Sequence, residues 1–209
     1  MYTGPHIIED GLVLSIDPGS QRSYVSGSST VLNLADPNES GDLNNLENTT
    51  FSYNFGGHWY FDGLTDNAGN DGNFIAFEED DDTQGDVTNA LTYEIWVNRQ
   101  GLSKSSGPRL MSTDLSDYAG LYVPGSNGAQ NLRWRFNIGG SAKNITSTGY
   151  GSGFPIGEWF HIVGTADYNG SSSYNGYLYI NGVLNNSIIG GAASGTGIVT
   201  GKPFTNWKS

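Results

Sequence analysis

The stretch "GEWFHIVGTADYNGSSSYNGYLYINGV", residues 157–183, places Glu158, His161 and Asp167 within ten residues. Carboxylates and an imidazole are the groups from which general acid–base sites are made, but they work together only within hydrogen-bond reach. The element that carries them decides whether they meet. Along "WFHIVGTA" the apolar and polar residues alternate as in a strand, with Trp159, His161, Val163 and Thr165 on one face and Phe160, Ile162, Gly164 and Ala166 on the other. An extended strand rises ~3.3 Å per residue, so Glu158 and Asp167 stand roughly 30 Å apart at its two ends. A site using both is excluded, and His161 reads as a structural residue between Trp159 and Val163. The polar "YNGSSSYNG" then reads as a turn, "YLYINGV" as the returning strand, and Asn181-Gly182 as a second tight turn.

The same alternation recurs through the chain. In "GLVLSID" Leu12, Leu14 and Ile16 share a face. In "LTYEIWVN" Leu91, Tyr93, Ile95 and Val97 oppose Thr92, Glu94, Trp96 and Asn98. In "NLRWRFNI" Leu132, Trp134, Phe136 and Ile138 oppose Arg133, Arg135 and Asn137. Shorter candidates are "TVLNLA", "TFSYNF", "HWYFDG", "NFIAF", "RLMST" and "AGLYV". With Gly, Asn, Asp and Ser clusters between them and almost no helical periodicity, about a dozen strands are expected. An all-β, two-sheet antiparallel sandwich of the jelly-roll kind accommodates them.

Composition narrows the function. The chain has 209 residues, within the range of a single all-β domain, and no linker-like stretch divides it. Charged residues make up only 14%, and Gly reaches 31 residues, a composition that suits many turns. The net charge of −12, from 21 acidic and 9 basic residues, repels phosphate backbones and anionic membranes, so nucleic acid is not an expected partner. Cysteine is absent, which excludes disulfides and thiolate metal sites. No apolar run of ~18 residues suggests membrane insertion, and the opening "MYTGPHIIEDGLVLSID" lacks the pattern of an export signal.

"EWFHIVGTADYNG…GYLYINGVL" resembles the signature hairpin of the concanavalin A-like, laminin-G-like jelly-roll family. "YFDGLTDNAGNDGNFIAF" and "LTYEIWV" are similar to two further landmarks of that family, in the same order. The N-terminal "GLVLSIDPGSQRSYVSGSSTVLNLADPNESGDLNN" resembles the opening of such domains in tailed-phage virion proteins. The resemblance implies one laminin-G-like domain over residues 1–209. Family members usually close with a strand of the type Gly-x-Ile-x-x-Val-Arg-Ile-Tyr-Asn, where this chain has "TGKPFTNWKS". The closing strand is thus expected to be missing, to lie beyond Ser209, or to be borrowed from a partner.

The family's oxygen-rich rim loops can hold Ca²⁺, a hard ion that takes six to eight oxygen ligands. "DGLTDNAGND" offers Asp66, Asn67 and Asp71, of which Asp66 and Asn67 match a calcium loop of pentraxin-like relatives; the acidic run "EEDDDTQGD" at 78–86 adds Asp81. Relatives that hydrolyse glycans carry Glu-x-Asp-x-x-Glu on a strand, and the nearest match, "EDDDTQ", ends in Gln84, which cannot exchange a proton as a carboxylic acid does. No Gly-x-Ser-x-Gly elbow, His-Glu-x-x-His pair or phosphate-binding loop occurs either. The protein is therefore expected not to be an enzyme. Aromatic faces stack on pyranose rings, and the candidates for glycan contact are Trp59, Tyr60, Trp96 and Tyr179.

The resulting expectation is a non-catalytic structural, decoration or fibre module at a phage virion surface, packed against other virion proteins, as a monomer or homo-oligomer, and contacting host-surface glycans. The alternative is a calcium-dependent carbohydrate-binding module of a larger secreted bacterial protein. For the metal, Ca²⁺ is expected to raise the thermal unfolding midpoint. Loss of that rise in Asp66→Ala alone, or in Asp81→Ala alone, assigns the ion to one of the two loops.

Overall fold

Apolar alternation with a period of two organises the backbone into ladders. The computed structural model describes residues 11–44, 49–61, 74–77, 87–100, 109–112, 119–123, 131–149, 155–170, 172–195 and 197–199. Among them the strands run in chain order as β1 (Thr30–Leu32), β2 (Ser40–Asn44), β3 (Thr49–Ser52), β4 (His58–Phe61), β5 (Phe74–Phe77), β6 (Val87–Thr88), β7 (Ala90–Asn98) and β8 (Arg109–Ser112). They continue as β9 (Gly120–Tyr122), β10 (Arg133–Ile138), β11 (Ser141–Thr146), β12 (Trp159–Tyr168), β13 (Ser173–Ile180), β14 (Val183–Ala192) and β15 (Ile198–Val199). The described residues contain no α-helix, only a short 3-10 turn at Asn54–Gly56.

Every pairing among these strands is antiparallel. One large sheet has the order β14-β13-β12-β7; the other runs β6-β15-β10-β9-β8, with β11 also paired to β10. Two small sheets, β1-β2-β5 and β3-β4, complete the described part. The architecture is the expected all-β antiparallel sandwich.

What brings the two large sheets together is an aromatic layer set against glycines. The inward residues of β10, Trp134, Phe136 and Ile138, are all fully buried. The Trp134 ring lies 5.1 Å from that of Tyr93 on β7, and its indole N–H donates to the carbonyl of Thr165 on β12 at 3.1 Å. A Cβ on Gly164 of β12 would sit 2.5 Å from Trp134 Cδ2, so only glycine admits the indole at this spacing. Gly176 of β13 does the same for the Ile145 and Phe136 side chains, 2.5 and 3.0 Å from where its Cβ would stand. Each buried Leu, Ile or Phe in such a layer contributes about 1.5–3 kcal/mol relative to exposure.

Three expectations change. The segment "GLVLSID" packs Leu14 and Ile16 against the core but forms no strand, because the Asn33 side chain takes the place of a ladder. Asn33 Oδ1 accepts from Ser15 N at 2.9 Å, and Asn33 Nδ2 donates to the Val13 carbonyl at 2.8 Å. The turn expected over "YNGSSSYNG" is shorter, since Ser173–Ile180 is already β13 and Gly176 serves packing, not turning. β2, β11 and β14 also form where the sequence shows weak alternation. β14 is held from the side: Asn185 Oδ1 accepts from Thr148 N at 2.8 Å, and Asn186 Nδ2 donates to the Thr146 carbonyl at 2.6 Å. The Asn181-Gly182 turn forms as expected, with φ of 52° and 77°, as a two-residue hairpin of the primed type requires.

Two measurements test this packing. Gly164→Ala is expected to cost about 1–3 kcal/mol of unfolding free energy, and Gly176→Ala less, because the Ile145 methyl it meets can swing aside while the Trp134 ring cannot. Burial holds the Tyr93 phenol well above the ordinary tyrosine value. Stability is then fully present below pH ~10 and falls as pH rises further, because the unfolded chain releases a proton that the folded chain retains. Tyr93→Phe is expected to flatten that alkaline decline by up to about 1.4 kcal/mol per pH unit, read from denaturant unfolding at a series of pH values.

Candidate functional site

The faces that the two large sheets turn away from the core hold the outward half of every alternating strand. On β12 the inward Phe160, Ile162, Gly164, Ala166 and Tyr168 are buried, whereas Trp159, His161, Val163, Thr165 and Asp167 are partly exposed. Register then sets the cross-strand neighbours: His161 faces Trp96, and Val163 lies between Glu94 and Tyr179. Next along the sheet, Thr165 lies between Thr92 and Tyr177.

Trp96 is 63% exposed, although it is large and apolar. Its ring stacks on the His161 imidazole at a centroid distance of 4.9 Å and an interplanar angle of 27°. His161 Nε2 in turn lies 2.8 Å from Glu94 Oε1. The backbone of His161 is clamped by the adjoining turn: its N–H donates to Asn181 Oδ1 at 2.9 Å, and its carbonyl accepts from Asn181 N at 2.8 Å. The indole is thus backed by an imidazole that is held at its ring and at its backbone.

Further rings extend this surface. Tyr177 and Tyr179 lie 6.3 Å apart on the outward side of β13. Towards the other end, Trp159 meets His58 edge-on at 5.5 Å and Phe55 at 6.5 Å. Phe55 is 86% exposed.

The trio Glu158, His161 and Asp167 does not assemble. Glu158 is exposed just before β12, and the Asp167 carboxylate accepts from Asn175 Nδ2 at 2.9 Å on β13. The carboxylate that does reach His161 is Glu94, 67 residues earlier in the chain. Its placement on the wet face of "LTYEIWVN" was legible, but the cross-strand register that delivers it was not. Among the described residues, the imidazole stacks on Trp96 and bonds Glu94.

The glycan candidates separate. Trp96 and Tyr179 share the outward face on the strands either side of β12, Trp96 in the row of His161 and Tyr179 in the next row with Val163. Trp59 is packed: its ring lies 5.1 Å from Tyr24 and 6.5 Å from Phe51, with its indole N–H buried. Tyr60 points the other way from β4 and is 45% exposed. The metal candidates Asp66, Asn67, Asp71 and Asp81 lie outside the described residues. Within the described residues, no three His, Asp or Glu side chains are grouped to hold an ion.

Residues 68–205 match a laminin-G-type family model described as the concanavalin A-like lectin/glucanases superfamily. The match takes in both large sheets, from β6 to β15, and with them the Trp96 face. No curated protein matches the chain.

Proposed function

The chain belongs to the concanavalin A-like lectin/glucanase superfamily, and we propose that it is a non-catalytic glycan-recognition module carried on a phage particle. The observation that carries the recognition reading is Trp96: an indole 63% exposed on a sheet face and backed by His161 at 4.9 Å. A large apolar ring held open to water in this way suits the C–H face of a pyranose. The rigid backing lowers the entropy lost when a ligand is ordered against it. Beside the ring, the Glu94 carboxylate is 62% exposed and offers acceptors to sugar hydroxyls. Glu94 on the face and the net charge of −12 favour a neutral sugar there over an anionic one.

The non-catalytic reading is supported by how the imidazole on β12 is used. His161 stacks on Trp96 and bonds Glu94, an arrangement that positions a ring without activating a hydroxyl. The virion reading draws on the N-terminal segment that resembles the opening of phage virion domains. Its Asp-x-Gly turn is closed by Gly19 N donating to Asp17 Oδ1 at 2.9 Å, and Ser23 and Tyr24 of the following turn are buried. In this reading the module packs against other virion proteins and leaves the Trp96 face to solvent.

Titration calorimetry against a panel of neutral oligosaccharides tests the recognition site. Trp96→Ala is expected to weaken binding at least tenfold, about 1.4 kcal/mol or more, while Tyr60→Ala leaves it unchanged. Binding that is indifferent to Trp96→Ala removes this site. Antibody detection on purified particles tests the location, and absence of the protein from them ends the virion reading.

A further inference from the structure

Across the core, the outward side of β10 carries two arginines. Because β10 turns Trp134, Phe136 and Ile138 inward, its alternate residues Arg133 and Arg135 are directed outward, roughly 7 Å apart along the strand. These are two of only nine basic residues in the chain. The Arg133 guanidinium lies 5.6 Å above the centroid of the Tyr122 ring, its cross-strand neighbour on β9. The Tyr122 hydroxyl donates to Asn144 Oδ1 at 3.2 Å, and Asn144 sits directly opposite Arg135 on β11. Thr146 lies opposite Arg133 on the same strand.

Arg133 is unusual in this setting. It makes no ion pair among the described residues, and its Nε is buried without a hydrogen-bond partner. A partly desolvated guanidinium held only by a ring face retains most of its donor fork for another group. Planar forks of this kind match carboxylate and sulfate oxygens two at a time. The Asn144 amide, whose oxygen is taken by Tyr122, adds an N–H donor beside the fork.

We propose that Arg133, with Tyr122 and Asn144 beside it, forms a second binding site, one for the oxyanion of an acidic saccharide, either a uronic acid carboxylate or a sulfate ester. The saccharide part of this assignment rests on the glycan reading above, but the residues and the chemistry are separate from those of the Trp96 face. The two faces divide the ligand classes between them: neutral rings at Trp96, anionic groups at Arg133.

The test is calorimetry at low ionic strength with oligogalacturonate, heparin-derived oligosaccharide and a neutral oligosaccharide of matched length. At least one acidic oligosaccharide is expected to bind, and the one that does assigns carboxylate or sulfate. Its affinity is expected to fall at least tenfold in Arg133→Gln and in Asn144→Asp, the latter an exposed substitution that sets a carboxylate beside the arginines without changing size. Trp96→Ala is expected to leave it unchanged. Binding of neither acidic oligosaccharide, binding that survives both substitutions, or binding lost in Trp96→Ala overturns the proposal. Acidic binding that persists while neutral binding is absent overturns only the Trp96 reading.

Discussion

The close approach of Trp134 to Gly164 is the constraint on which the rest of the molecule depends. A fully buried indole sits where any side chain larger than hydrogen would place its Cβ 2.5 Å away. Its N–H bonds the Thr165 carbonyl, so the contact specifies both the distance between the sheets and the position of β10 along β12. Gly176 repeats the device one strand over, beneath Phe136 and Ile145. Once these contacts exist, a one-residue slip of any central strand would exchange its apolar and polar faces, so everything displayed on the outside follows from what is locked inside.

Polar side chains finish what the ladders leave undone. Asn33 supplies in one amide the donor and acceptor with which a neighbouring strand would have met Ser15 and Val13. Asn181 ties its hairpin turn to the backbone of His161, and Asn185 and Asn186 tie β14 to the end of β11 and the residues just after it. An asparagine-rich chain that is poor in charged residues can satisfy its backbone in this way. The consequence for function is rigidity under the imidazole that backs Trp96.

Among the described residues, the two outward faces differ in the charges they display. Glu94 and Asp167 lie on the face with the exposed aromatic rings, while Arg133 and Arg135 lie across the core from it. Strand alternation makes such a division possible within a few residues of sequence, since Arg133 and Arg135 on β10 are partly exposed while Trp134 and Phe136 beside them are fully buried.

Much of the fold was legible: the signature hairpin, β7, β10 and the Asn181-Gly182 turn follow from period two and turn chemistry. β14, an edge strand whose burial does not alternate cleanly, was not, and "GLVLSID" carried the pattern of a strand but forms none. By itself the sequence determined which side of each strand turns outward, and so that Glu158 and Asp167 could not share a site with His161. Only the tertiary structure decided that His161 meets Glu94 and Trp96, that Trp59 is packed while Trp96 is displayed, and that Arg133 lies over Tyr122. The reason is physical: facing is a local property of the backbone, whereas partnership depends on register between strands as far as 67 residues apart, which is set by the packing of the core they enclose.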